Sequence, residues 1–321
     1  MKYLYILVIT ILIQGSSALA DPGFDRWVNE LKVEAQSRGI SPALLDQAFE
    51  DVKPLPRVLE LDRKQPESTM TFVQYKKHVI SPKRIQQGRE MLIRHRGILK
   101  EVGDYYGVPP RFIVALWGIE TSYGRNTGGF NVIEALATLA YDGRRSQYFR
   151  GELLNALQIL QEGHASIPTM KGSWAGAMGQ SQFMPSSFLK LAVDFDGDGR
   201  KDIWTTHADV FASAANYLSQ SGWRTGETWG RAVRLPNGFD QRETGLKISK
   251  PLPTWHNMGV RRGDGGSLPM VSMKGSIILP DETLSPAFLV YHNYRVLMRW
   301  NRSFYFATSV GLLADAIVRR P

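Results

Sequence analysis

The chain has 321 residues and a formal net charge of +9, with no cysteine. That length holds about two or three domains and a sizeable core, and the lack of Cys excludes disulfides, thiol chemistry and a cysteine-linked lipid anchor. An excess of positive charge favours an extended anionic partner, either nucleic acid or an envelope polymer.

Residues 1–20 read as a secretory signal peptide: Lys2, an apolar run from Tyr3 to Ile13, then Ala18-Leu19-Ala20 before the expected cut. Without that segment, whose only charge is Lys2, the balance is +8. No later stretch of about 18 apolar residues suggests a span. Export makes an anionic wall polymer the expected partner and nucleic acid a remote one. From Phe24, two short helical patterns follow, the second opened by Ser41-Pro42. Val52 to Glu67 holds three prolines and alternating charge and reads as an extended connection. Ser81-Pro82 opens one long helix expected to run to Gly107. Residues 21–107 are thus expected to form a helical domain.

Residues 108–225 are denser in signals. Pro110 suits a first helical position, and Phe112, Leu116 and Ile119, flanked by Ile113 and Trp117, recur at helical spacing. This buried helix runs into one carboxylate, Glu120, before Gly124 can turn the chain out. A buried carboxyl holds its proton more tightly, which is what a general acid at neutral pH requires. The plainer alternative is a solvated Glu or one paired with Arg125. Further on, Asn131 and Glu134 resemble a helix-capping box, and Ser146 to Gly163 carries an apolar face of Phe149, Leu153, Leu157 and Leu160. Gly172 to Ser187 interleaves glycines with Trp174, Phe183, Met184 and amides, a loop or hairpin that reads better as a groove lining than as plain surface.

Asp194, Asp196 and Asp198, with Gly199 next, match the start of an EF-hand loop, where position 7 is Arg200 through its carbonyl. Position 12 is Thr205 and not Glu, which leaves Asp202 or, further on, Asp209 as candidates to close the shell. Hard oxygen ligands without His or Cys favour Ca²⁺, and a single loop suits a structural clamp. Residues 226–286 turn to Gly, Pro and short β-branched runs, expected as a small inserted β subdomain. Residues 287–321 return to helical or mixed patterns.

Several of these stretches carry a resemblance when read together. Glu120-Thr-Ser-Tyr-Gly, Ala135-Leu-Ala-Thr-Leu, Arg144-Arg145 with Tyr148-Phe149, Gly176 to Ser187 and Val193-Asp-Phe-Asp-Gly-Asp-Gly fall in order, and together resemble the family B lytic murein transglycosylases of bacteria. The resemblance implies a mainly α (α+β) protein: a lysozyme-like core, an N-terminal helical domain and a small inserted β domain. It implies cleavage of the MurNAc-β-1,4-GlcNAc bond of peptidoglycan with formation of a 1,6-anhydro sugar. It places catalysis on Glu120, the substrate groove on Ser173, Gln182, Arg144, Arg145, Tyr148 and Asn301, and calcium on Asp194, Asp196, Asp198, Arg200 and Asp209. Two positions depart from the family pattern: Trp300 stands where a tyrosine is expected, and the loop before Asp209 is longer.

The residues fit such chemistry. Ordinary glycosidases use two carboxylates across the scissile bond; the groove motifs hold none besides Glu120, and Asp142, the nearest, is expected to face solvent. One acid suffices if it protonates the leaving oxygen and then, as carboxylate, takes the proton of the sugar's 6-hydroxyl. The alternatives are a muramidase of the same fold that adds water, or a non-catalytic, calcium-stabilised wall-binding module. The expected protein is a monomeric periplasmic enzyme with structural Ca²⁺, no organic cofactor and no membrane anchor.

Overall fold

A computed structural model describes residues 22–64, 70–283 and 285–319, so the expected signal peptide lies outside the described residues. Six helices come first: α1 (Pro22–Ser37), α2 (Pro42–Phe49), α3 (Pro56–Arg63), α4 (Phe72–Val79), α5 (Pro82–Arg94) and α6 (Arg96–Tyr106). The hydroxyls of Ser41 and Ser81 accept the backbone N–H of Leu44 and Arg84, and a proline fills the next position of each helix. Two expectations change here. The stretch read as extended contains α3, because Pro56 sits in its first turn, where a missing N–H loses no bond. The single helix expected from Ser81 to Gly107 is two. His95 leaves helical geometry at φ −104°, ψ 20°, and its ring packs on Trp117, His207 and Phe211.

Next come α7 (Pro110–Thr121), β1 (Phe130–Asn131), α8 (Val132–Tyr141), α9 (Ser146–Gln161), β2 (Lys171–Gly172), α10 (Pro185–Leu191) and α11 (His207–Gln220). Asn131 caps α8 by accepting the N–H of Ile133 and Glu134. Strands β1 and β2 pair antiparallel, Phe130 opposite Gly172.

The last stretch holds β3 (Gly230–Arg234), β4 (Lys250–Pro251), α12 (Leu252–Asn257), β5 (Arg261–Arg262), β6 (Lys274–Ile278), β7 (Ala287–Val290), α13 (His292–Trp300) and α14 (Phe304–Val318). The sheet runs β4-β6-β7-β3-β5, antiparallel throughout, with Ile277 opposite Leu289 and Gly230 opposite Val290. The return to helix therefore begins after β7, whose four residues are all buried. A short continuous apolar run suits a covered strand and a buried helix equally, so periodicity does not separate them.

Among the described residues, three apolar clusters hold these elements. One surrounds α7, joining Phe112, Ile113 and Leu116 to Leu99 of α6, Phe211 of α11 and Leu313 of α14. Each such large side chain, fully buried, contributes on the order of 1.5–3 kcal/mol. A second joins α8 and α9 to Leu31, Leu45 and Val58 of the first three helices. The third covers one face of the sheet with Leu252 and Trp255 of α12. Trp300, ending α13, packs against both of the first two clusters. Among the described residues no helix is long and apolar enough to cross a membrane.

Candidate active site

Helix α7 delivers Glu120 to the boundary between those two clusters. From Phe112 to Gly118 every residue is buried, and then Ser122, Tyr123 and Gly124 take left-handed φ values of 52°, 62° and 79° in succession. Non-glycine residues in that region store strain, of order 1–3 kcal/mol each, that the surroundings must offset. Here the Tyr123 hydroxyl donates to the Arg84 carbonyl at 2.7 Å, Arg84 Nη2 donates to Ser122 Oγ at 2.9 Å, and Gly124 N–H donates to Thr121 Oγ1 at 3.0 Å. Gly124 is also required for space, since a Cβ there would lie 2.3 Å from Gln180 Oε1. That amide oxygen accepts the Trp117 indole N–H at 2.8 Å, and its Nε2 donates to the Trp204 carbonyl at 2.8 Å. The exit of the helix is thus locked onto the glycine-rich loop.

The Glu120 side chain is half-buried and accepts one hydrogen bond, from Trp300 Nε1 to Oε1 at 2.6 Å. Its pKa is pushed up to about 7, by burial, with the Trp300 N–H pulling the other way; no charge among the described residues takes part. Arg125 does not pair with it: that guanidinium donates to the Ser122 carbonyl and to Gln87 Oε1. An indole N–H can only donate. The carbonyl oxygen of a protonated carboxyl is its better acceptor, so Oε1 keeps that role in both charge states and the acid proton sits on Oε2. Trp300 in turn is braced by Phe183 and Tyr217, at ring separations of 5.4 and 4.7 Å.

The Gly172–Ser187 segment is a loop folded on itself. Met178 and Phe183 exchange backbone bonds of 2.8 and 3.1 Å, making a hairpin that points Phe183 at Trp300. Ser173 Oγ accepts the Ala177 N–H, and Gln182, at φ 49°, donates to the Thr127 and Gly179 carbonyls. Asn301 follows Trp300 directly and caps the next turn by accepting the Ser303 N–H at 3.1 Å. The motifs gave no site role to Gln180 or Tyr217, and Trp117 stood only as part of the apolar helix pattern. Gln180 stood inside the glycine-rich motif, and Trp300 was visible only as a departure.

Arg144 and Arg145 sit before α9, both bonded to Asp62 of α3 at 2.8 and 2.7 Å, while Tyr148 is exposed and stacks edge-on to Phe149. Asp142 pairs with Arg63 at 3.0 Å and its side chain is only 19% exposed, so it does not face open solvent as expected.

In the acidic loop, carboxylate oxygens of Asp194, Asp196 and Asp209 lie within 4.8 Å of one another. Asp209 lies in the first turn of α11 and is fully buried; its oxygens accept the N–H of Phe195 and Asp202. Burial, and then the charges of Asp196 and Asp194, push its carboxyl above the usual carboxylate range. Three converging hard donors with no cationic side chain among them fit Ca²⁺. Asp198 falls outside that trio: its carboxylate accepts the Arg200 N–H and guanidinium. Asp202 is used in a turn, accepting from Trp204 and Thr205.

Comparison with known proteins agrees along the chain. The family described as Transglycosylase SLT domain matches residues 23–315. Membrane-bound lytic murein transglycosylase B of Escherichia coli (strain K12) is 30% identical over 94% of this chain and 84% of its own length. The structure of SltB3 from Pseudomonas aeruginosa, solved in complex with NAG-NAM-pentapeptide, superposes with TM-score 0.89 at 46% identity, covering 92% of this chain and 80% of that one. The Escherichia coli lytic transglycosylase Slt35, solved in complex with calcium, gives TM-score 0.77 at 29% identity, covering 93% of each chain. The fold is that of these lysozyme-like α+β enzymes, and the chain belongs to the lytic murein transglycosylases of the SLT domain family.

Proposed function

We propose that this enzyme cleaves the MurNAc-β-1,4-GlcNAc bond of peptidoglycan without adding water, with Glu120 as acid and then base. The observation that carries this reading is the half-buried Glu120 carboxyl at the end of α7, held by the Trp300 N–H at 2.6 Å, with burial pushing its pKa up to about 7. In the first half, the proton on Oε2 passes to O4 of the departing GlcNAc as the C1–O4 bond breaks. The muramoyl 2-acetamido oxygen supports the positive charge at C1. In the second half, Glu120 takes the proton of the 6-hydroxyl while O6 bonds to C1, closing the 1,6-anhydro ring and restoring the acid. SltB3 has also been solved with NAG-anhNAM-pentapeptide, which favours this product over a hydrolytic one.

Ser173, Gln182, Arg144, Arg145, Tyr148 and Asn301 contact the glycan or its peptides in this reading. Asp194, Asp196 and Asp209, with the Arg200 carbonyl and Asp198 once its carboxylate leaves Arg200, would hold a Ca²⁺, which would pin the loop to α11. The enzyme works as a monomer in the periplasm, exported by residues 1–20. The test is mass analysis of products from purified peptidoglycan treated with wild type and with Glu120→Gln. Anhydro-muramoyl ends from wild type and none from the variant are expected; reducing muramic ends alone would overturn the proposal.

A further inference from the structure

Asp62 is 3% exposed and accepts from two arginines at once. Arg144 grips it with two nitrogens, Nε to Oδ2 at 2.8 Å and Nη2 to Oδ1 at 2.9 Å, and Arg145 Nη2 adds a bond to Oδ1 at 2.7 Å. Arg145 is fixed a second time, its guanidinium lying 4.8 Å from the centre of the Phe149 ring. The carboxylate is buried, yet the arginine side chains remain 52% and 44% exposed. Burial raises the Asp62 pKa, but bonds from both guanidinia outweigh that and hold it below the usual range.

One forked arginine already satisfies a buried carboxylate. The second leaves this trio with a surplus positive charge, and each guanidinium has five N–H donors, of which the bonds to Asp62 use only some. Neighbouring Asp142 does not cancel the surplus, because it is paired with Arg63. Helix α3 is held over this corner by a further bond, from Leu55 N–H to Thr138 Oγ1 at 2.9 Å. A long cation that is ordered before binding loses less side-chain freedom when an anion arrives.

We propose that Asp62 is a positioning residue: it presets Arg144 and Arg145 as a donor pair for the carboxylates of the peptides borne by the glycan strand. The inference rests on the peptidoglycan reading above and adds the buried carboxylate that sets this arginine pair for its peptides. The free N–H edges bind a peptide carboxylate, while Asp62 itself stays behind them, away from substrate.

The experiment compares wild type, Asp62→Asn and Asp62→Glu on two substrates, peptide-bearing strands and strands stripped of peptide by an amidase. Asp62→Asn should raise KM on peptide-bearing strands about tenfold, the scale of one charge-assisted hydrogen bond, with kcat within about twofold. On stripped strands the rise should be much smaller. Asp62→Glu, which keeps the charge, should recover most of the loss. In an Arg144→Ala/Arg145→Ala background, Asp62→Asn should leave KM where it already stands. An equal rise on both substrates, a fall in kcat alone, or a further rise in the double-alanine background would overturn the proposal. If wild type forms no anhydro ends on either substrate, the underlying reaction is at fault and not the role of Asp62.

Discussion

Trp300 Nε1 donates to Glu120 Oε1 at 2.6 Å, across 180 residues of sequence. The bond stabilises the ionised carboxylate, while burial opposes it and prevails, leaving the pKa at about 7. Activity that needs protonated Glu120 should therefore fall as pH rises through about 7. Trp300→Phe removes the donor and should move this alkaline limb upward by about one pH unit, the scale of a charged hydrogen bond. Trp300→Tyr, whose hydroxyl can donate, should move it less. The measurement is kcat/KM against pH for the three proteins; an unmoved limb in the Phe variant would separate Trp300 from the acid.

Glu120→Gln should be inactive yet more stable at high pH. The folded pKa of about 7 lies above the ordinary glutamate value of 4.5. Stability is thus fully present below about pH 4.5 and is lost progressively as pH rises toward 7, where the folded protein must ionise a buried group. Allowing for partial exposure, the variant should gain about 1–3 kcal/mol at pH 8 and almost nothing at pH 4. Urea melts at both pH values check this, and equal stability of the two proteins at pH 8 would count against burial as the cause.

Calcium should raise Tm. Saturating Ca²⁺ over a chelator is expected to add about 5 °C, as a ligand at roughly a hundred times its Kd gives about 2.7 kcal/mol. Asp209→Asn should abolish the response and cost about 1–3 kcal/mol without metal, because its amide NH₂ would face one of the two N–H groups that Asp209 now accepts. Calorimetry with and without EDTA decides it, and identical midpoints would sink the assignment.

Gly124→Ala should be among the most damaging small substitutions. At φ 79° a Cβ is strained, and it would sit 2.3 Å from Gln180 Oε1, displacing the bond from Trp117. A loss of about 2–4 kcal/mol is expected, together with reduced activity as the Glu120 carboxyl loses its fixed direction. Gly129→Ala, which meets nothing within 4 Å, is the control.

Much was legible because its causes are local. Proline and serine at helix starts, the apolar run of α7 ending in Glu120, the glycine-rich hairpin and the spacing of Asp194, Asp196 and Asp198 are written within a few residues of where they act. The prolines of Val52–Glu67 misled because the same residue that breaks a helix interior also opens one, as Pro56 does. The break at His95 has no local signal, since its partners Trp117, His207 and Phe211 come from other elements.

The sequence by itself determined that a single apolar helix carries one carboxylate and that an oxygen-rich turn follows. Only the tertiary structure decided that Trp300 reaches Glu120, that Asp209 completes the carboxylate trio, and that buried Asp62 gathers Arg144 and Arg145. Periodicity and caps act over a turn or two of chain. Hydrogen bonds between distant side chains exist only once apolar packing has brought their helices together.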